Sequence, residues 1–273
     1  MKKDLEGKVE RSKPIIICAQ QRSGTTVLQG ALNDTGLVKN YREVFHDDSF
    51  NKKAEFGFFN VKKFLIGKNI DLFFPSVTNQ DIIFRRYFGK LKDRSNRPFH
   101  LIDIKYNSWH HFNLAWHSSE EIPYLLKLIK KKNIPVIHII RKNQLHQYIS
   151  HRYALFTRKW HFNATESLDE KKKIIVNLND CLNYLNKVTT DIENYKRWMK
   201  NYPQYYEIEY EDMIINGKFS GKMNALIDKI TNNRIIKLGD PPLKKIIQNP
   251  FGLVKNWGAV EEMISESQYK KFL

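Results

Sequence analysis

Pro14-Ile15-Ile16-Ile17-Cys18-Ala19-Gln20-Gln21-Arg22-Ser23-Gly24-Thr25-Thr26-Val27-Leu28 joins three kinds of sequence in one short span. Residues 14–19 form a continuous β-branched apolar run bounded by polar residues. Such a run predicts a strand buried on both faces, as in a parallel sheet. Gln20 to Thr26 are polar and contain one glycine, so they predict a tight turn. Val27, Leu28, Ala31 and Leu32 are then apolar at helical spacing as far as Gly36. The opening unit therefore reads strand, turn, helix.

A turn at that place has a specific chemistry. The first N–H groups of a helix lack intrahelical partners and attract phosphate and sulfate. Gly24 permits close backbone approach. Ser23, Thr25 and Thr26 add hydroxyls, and Arg22 adds a fixed cationic fork. Compared with the Walker A pattern GxxxxGK[ST], Ala19 replaces the first glycine and Thr25 replaces the lysine. The turn is built like a phosphate cradle without the usual triphosphate tool, which suits a 5′-phosphosulfate.

Outward from this unit the chain alternates strands and helices. Residues 99–105, 134–140 and 205–210 predict further strands. Residues 119–132, 143–158 and 168–200 predict helices, followed by a helical tail after Glu211-Asp212. Alternation of this kind implies βαβ units and a parallel sheet. Residues 48–100, rich in Phe, Lys and Asn, predict helices and loops that serve as a lid or a homodimer contact. The expected architecture is one α/β domain over residues 1–273, a P-loop-like central parallel β-sheet flanked by helices.

Composition narrows the class. The chain has 273 residues, 41% hydrophobic and 13% aromatic, enough for a sizeable core. Its formal net charge is +17, which attracts polyanions such as nucleic acid, anionic lipid or a phosphorylated small molecule. The Lys130–Lys132 and Lys171–Lys173 runs read as solvated helix ends. Cys18 and Cys181 cannot build a disulfide framework, and no CxxC pair exists for a metal. The charged N-terminus lacks a secretory apolar core, and no apolar run reaches the roughly 20 residues a membrane span needs. These features predict a soluble, cytoplasmic protein.

The segment from Pro14 to Leu28 resembles the 5′-phosphosulfate loop of the sulfotransferases that use 3′-phosphoadenosine 5′-phosphosulfate (PAPS). Gln21 stands where that family commonly has proline. Arg141 after a strand and Ser150 on the following helix resemble its 3′-phosphate clamp. The string Arg141 to Ser150, then Ala154, Thr157, Trp160 and His161, resembles a bacterial branch of trehalose, glycolipid and nodulation-factor sulfotransferases. Tyr210-Glu211-Asp212-Met213 is similar to a strand end common in the superfamily, and Gln248-Asn249-Pro250 with Asn256-Trp257 to the branch's closing segment. Ile140 and Ile247 replace an arginine and a lysine of the branch, with Lys245 near the second. The likeness covers residues 14–46, 101–161 and 205–273.

The resemblance implies the sulfotransferase fold. It also implies carbohydrate sulfation: transfer of a sulfuryl group from PAPS to a hydroxyl of a carbohydrate or glycolipid acceptor, with adenosine 3′,5′-bisphosphate (PAP) as product. No metal and no nucleic-acid partner is expected. Gln21, Arg22, Ser23, Gly24, Thr25, Thr26, Arg141, Ser150 and Lys245 would hold the nucleotide, and Arg22 would also stabilise developing charge. Asn40 to His46 is similar to the branch's "PxEYF" motif, which makes Glu43 the expected general base and His46 the runner-up. Lys105, at a strand end, and His110 and His111 are candidate acceptor contacts. A P-loop-type small-molecule kinase and a non-catalytic nucleotide- or nucleic-acid-binding protein are the competing readings.

Overall fold

A computed structural model describes residues 11–46, 55–118, 120–160, 172–243 and 249–273. Its first half runs β1 (Lys13–Ala19), α1 (Thr25–Asp34), β2 (Val38–Asn40), α2 (Phe58–Lys68), α3 (Val77–Asp93) and β3 (Phe99–Lys105). The second half runs α4 (Tyr124–Lys131), β4 (Val136–Ile140), α5 (Gln144–Thr157), α6 (Leu178–Met199) and β5 (Tyr205–Glu209). A single helical turn, α7 (Tyr210–Met213), then leads through a two-stranded hairpin, β6 (Ile214–Ile215) and β7 (Lys218–Phe219), to α8 (Gly221–Ile230) and α9 (Trp257–Ser265).

The five main strands form one parallel sheet in the order β2-β3-β1-β4-β5. The expected α/β architecture, a parallel sheet flanked by helices, is present and is compatible with a P-loop-like fold. β1 lies at the centre, paired to β3 on one side and β4 on the other. Successive strand residues point to opposite faces. Ile16 and Cys18 of β1 join Ile102, Ile104 and Val136 under α2, α3, α4 and α6. Ile15, Ile17 and Ala19 join Leu101, Ile137 and Ile139 under α1 and α8. A third cluster unites α5, the start of α6, α9 and the C-terminal Tyr269 and Phe272. Phe58, Phe84, Tyr87 and Leu91 of the weakly patterned segment lie in the first of these clusters, packed on the sheet.

Two helix boundaries correct the sequence expectation. α4 begins at Tyr124, not 119, because Pro123 precedes it and disfavours helical backbone at Ile122. α6 begins at Leu178, not 168. Asn177 caps it by accepting the Asp180 N–H (3.0 Å), while Ile174 instead pairs with Val254. Ser119 and residues 168–171 lie outside the described residues, as do His161, Lys245, Ile247 and Gln248. β2 is a strand that the sequence pattern did not announce, since its three residues are too few to show a period.

His138 of β4 bridges Tyr106 (2.5 Å) and Tyr205 (2.6 Å), and Tyr205 donates on to Glu207 (2.8 Å). A neutral imidazole offers one donor and one acceptor, which matches two hydroxyl partners. Burial pushes the His138 pKa down to about 3, with the Lys196 charge acting in the same direction. Burial, aided by Lys92, pushes His100 down to about 4. The unfolded chain titrates both near the ordinary histidine pKa of about 6.5. It therefore binds protons that the native state refuses, and stability is lost as pH falls from that value towards 4. Between about pH 7 and pH 5 each imidazole should cost on the order of 2 kcal/mol. A urea midpoint that stays constant over this range would contradict the burial of both rings.

Candidate functional site

The carboxyl ends of β1, β3 and β4 lie along one edge of the parallel sheet, the edge where open α/β sheets form their ligand crevice. The turn after β1 occupies its centre. Arg22 (φ 65°) and Gly24 (φ 75°) both adopt left-handed backbone. For an arginine that geometry is uncommon and persists only where the surroundings enforce it. Three contacts do so. Arg141 donates to the Arg22 carbonyl (3.0 Å), and Gln147 donates to the Gln21 carbonyl and to the Ser23 hydroxyl, both at 2.8 Å. Arg22 Nε donates to Ser150 Oγ (3.1 Å), and its Nη1 donates to the Trp160 carbonyl.

These partners are supplied in order. Arg141 follows β4 directly. Asn143 caps α5 by accepting the His146 N–H (2.8 Å). Gln147 and Ser150, three residues apart, then share the helix face that meets the turn. The sequence-predicted cluster of Arg22, Ser23, Arg141 and Ser150 is thus brought together. Gln147, which sequence reasoning gave no role, fastens it.

Arg22 and Arg141 are close enough for the Arg141 charge to act on Arg22. Burial lowers the Arg22 pKa most, and the Arg141 charge adds to it. Burial also lowers that of Arg141, against the opposing effect of Tyr210 and Glu211. Among the described residues no carboxylate pairs with either guanidinium. Arg141 lies over the Tyr210 ring (5.1 Å), and its Nε is buried without a hydrogen-bond partner among these residues. Two adjacent cations and an unfilled buried donor form a site that an anion would complete.

A second polar group stands beside the first. Lys105, at the end of β3, is buried, and its ammonium donates to Thr25 Oγ1 (2.9 Å) and Asp103 Oδ2 (2.7 Å). It also pairs with Glu43 Oε1 (3.3 Å). Burial opposes the charge, but Asp103 and Glu43 outweigh it and raise the Lys105 pKa. Asp103 accepts further from Gln29 Nε2 (2.6 Å), and Gln29 accepts from Asn40 (3.3 Å).

Glu43 arrives there because β2 runs beside β3, with Asn40 opposite Leu101. Arg42, at φ 61°, turns the chain, and the Asp103 N–H donates to its carbonyl (3.0 Å). The half-buried Glu43 is therefore delivered to the Lys105 ammonium beside the turn. His46 lies one turn further on, its N–H donating to the Glu43 carbonyl (3.1 Å).

The remaining predicted residues are placed less centrally. Gln21 and Thr26 are half-buried on the turn. Lys105 is not an open acceptor contact, because Thr25, Asp103 and Glu43 already engage it. His111 packs against Phe45, Phe58 and Phe59, and His110 stands exposed beside it. Lys245 lies outside the described residues. Asp103, Gln29, Gln147 and Tyr210 were not assigned from sequence. Asp103 left a signal all the same, since a buried strand tolerates a carboxylate only with a partner.

No protein-family model and no curated protein sequence matches the chain. Among the described residues no group of His, Cys, Asp and Glu is arranged to hold a metal ion, and no helix is long and apolar enough to cross a membrane.

The Tyr210 ring fixes the identity of residue 24. A Cβ on Gly24 would meet Tyr210 Cε2 at 2.5 Å and Cδ2 at 2.6 Å. Gly24→Ala should lose the left-handed penalty of about 1–2 kcal/mol and a further overlap cost. In a Tyr210→Ala background the ring overlap should vanish, leaving the left-handed penalty and the Met213 Cε contact at 3.2 Å. Denaturant unfolding of the four-member cycle measures this, and strict additivity would contradict the packing.

Proposed function

We propose that the chain is a PAPS-dependent sulfotransferase with the sulfotransferase variant of the P-loop-like fold. The observation that carries this reading is the meeting of Arg22, Arg141 and Ser150 beside the turn at the start of α1, with no carboxylate among the described residues in an ion pair with either guanidinium. A nucleotide bearing both a 3′-phosphate and a 5′-phosphosulfate supplies anions for such a crevice. Arg141, Ser150 and Arg22 would clamp the 3′-phosphate, and residues 21–26 the 5′-phosphosulfate.

Transfer then needs little covalent help from the protein. By analogy with phosphoryl transfer, positioning and charge stabilisation dominate. The acceptor oxygen bonds to sulfur as the bond from sulfur to the bridging phosphate oxygen breaks. PAP leaves with that electron pair, and the acceptor proton passes to Glu43. Lys105 has two parts in this scheme. It fixes Glu43 next to the turn, and its hydrogen bond to Thr25 Oγ1 orients that hydroxyl at the start of α1. The acceptor is a carbohydrate or glycolipid hydroxyl, on the resemblance of residues 141–160 to the bacterial branch.

The kinase alternative draws on Lys105 itself, an ammonium at the turn where the Walker lysine is missing. Asp103 and Glu43 already neutralise it, which leaves little charge for a γ-phosphate. Calorimetry separates the two readings: PAP should bind tightly and Mg-ATP negligibly, whereas the reverse order would sink the sulfotransferase. Arg22→Ala should abolish transfer with the fold intact. It should also weaken PAP by about tenfold to a hundredfold, the worth of a hydrogen bond to a charged group.

Glu43→Gln tests the base. Turnover measured with labelled PAPS should fall by about 10²–10⁴, with PAP affinity little changed. An unaltered rate would move the proton to His46.

A further inference from the structure

The turn between α2 and α3 leaves large apolar side chains in solvent. Ile70 is 73% exposed and Phe73 74%. Both belong to the 3₁₀ turn Ile70–Phe73, where residues three apart stack on one side. Phe74 and Val77 follow, each more than half exposed. The Ala115 N–H donates to the Pro75 carbonyl (3.1 Å), which brings the chain just before Trp116, itself 91% exposed, alongside Phe74 and Pro75. Phe64, on the last turns of α2, is also exposed, with the Lys68 ammonium 4.6 Å from its ring centre.

Isolated exposed apolar residues are ordinary, but a contiguous set of this size is a mark of an interaction surface. The chemistry of its rim selects the partner. Residues 58–80 carry Lys62, Lys63 and Lys68 against a single carboxylate, Asp71. The whole chain has a net charge of +17. A second copy would bring the same cationic rim and the same net charge to a symmetric contact, so self-association opposes itself. An anionic lipid surface meets both demands: acyl chains for Ile70, Phe73 and Trp116, headgroup charge for the lysines. Aromatic rings and lysines side by side are the composition found at membrane–water boundaries.

We propose that the face formed by Ile70, Phe73, Phe74, Val77 and Trp116, with the exposed Lys63 and Lys68 on the preceding helix, seats the protein on an anionic lipid bilayer. Docking is peripheral, through a loop-and-turn surface, and independent of the nucleotide chemistry proposed above.

Flotation of the full chain with vesicles tests this directly. The protein should float with phosphatidylcholine vesicles containing phosphatidylglycerol and much less with phosphatidylcholine alone. Phe73→Ser combined with Trp116→Ser should weaken the partition by at least about tenfold, since each buried aromatic contributes that much or more. Both sites are exposed, and an unchanged urea midpoint verifies the fold. Absence of flotation at low salt would overturn the proposal. So would flotation that the double variant leaves intact, which would assign binding to diffuse charge. A wild-type dimer in sedimentation that the double variant converts to monomer would also overturn it, because the occupant would then be a second copy.

Discussion

One buried ammonium ties three chain segments together. Lys105 ends β3, Thr25 opens α1, and Glu43 sits on the turn after β2, and all three meet at a single Nζ. A lysine removed from water is costly unless carboxylates surround it. Asp103, two residues back on the same strand face, supplies the first, and Glu43 supplies the second. The demand for partners is thus what draws the β2 turn against the phosphate-cradle turn. Loss of Asp103 would leave the ammonium one carboxylate short, and Gln29 and Asn40 would lose the group they orient around.

The neighbouring guanidiniums pose the opposite problem. Lys105 is neutralised within the protein, whereas among the described residues neither Arg22 nor Arg141 forms an ion pair with a carboxylate. Their mutual repulsion is borne by hydrogen bonds that do not cancel charge: Ser150, two backbone carbonyls and the face of Tyr210. The crevice is therefore divided. On one side protein carboxylates complete the electrostatics, and on the other the charge is left for something that arrives. A sulfuryl donor with two anionic ends separated by a ribose and a proton-accepting carboxylate beyond would use both sides.

Much of this was legible in the chain. Buried β-branched runs announced β1, β3 and β4, and the polar RSGTT turn announced the cradle, because both signals are local. Arg22, Arg141, Ser150 and Glu43 were selected by sequence and are brought into one crevice. The unread elements depend on distance in the chain. β2 has three residues and takes its identity from β3 alongside it. The weakly patterned residues 58–93 fold on the sheet through aromatic packing of Phe58, Phe84 and Tyr87, which leaves no strict period. Gln147 and Tyr210 work through contacts with residues 21–24, more than a hundred positions away, and no spacing rule reaches that far.

α2 connects the crevice with the surface beyond it. Its Phe58 packs against Phe45 and His111, two residues of chain from Glu43 in the case of Phe45. Its opposite end carries Phe64 and Lys68 towards the exposed turn at Ile70–Phe73. One helix thus backs the turn that carries Glu43 and leads into the exposed apolar stretch. The two features have separate physical origins, one in the desolvation of cations and the other in apolar area left uncovered. Their common element is α2, whose first residue packs beside the Glu43 turn and whose last turns lead into the exposed apolar stretch.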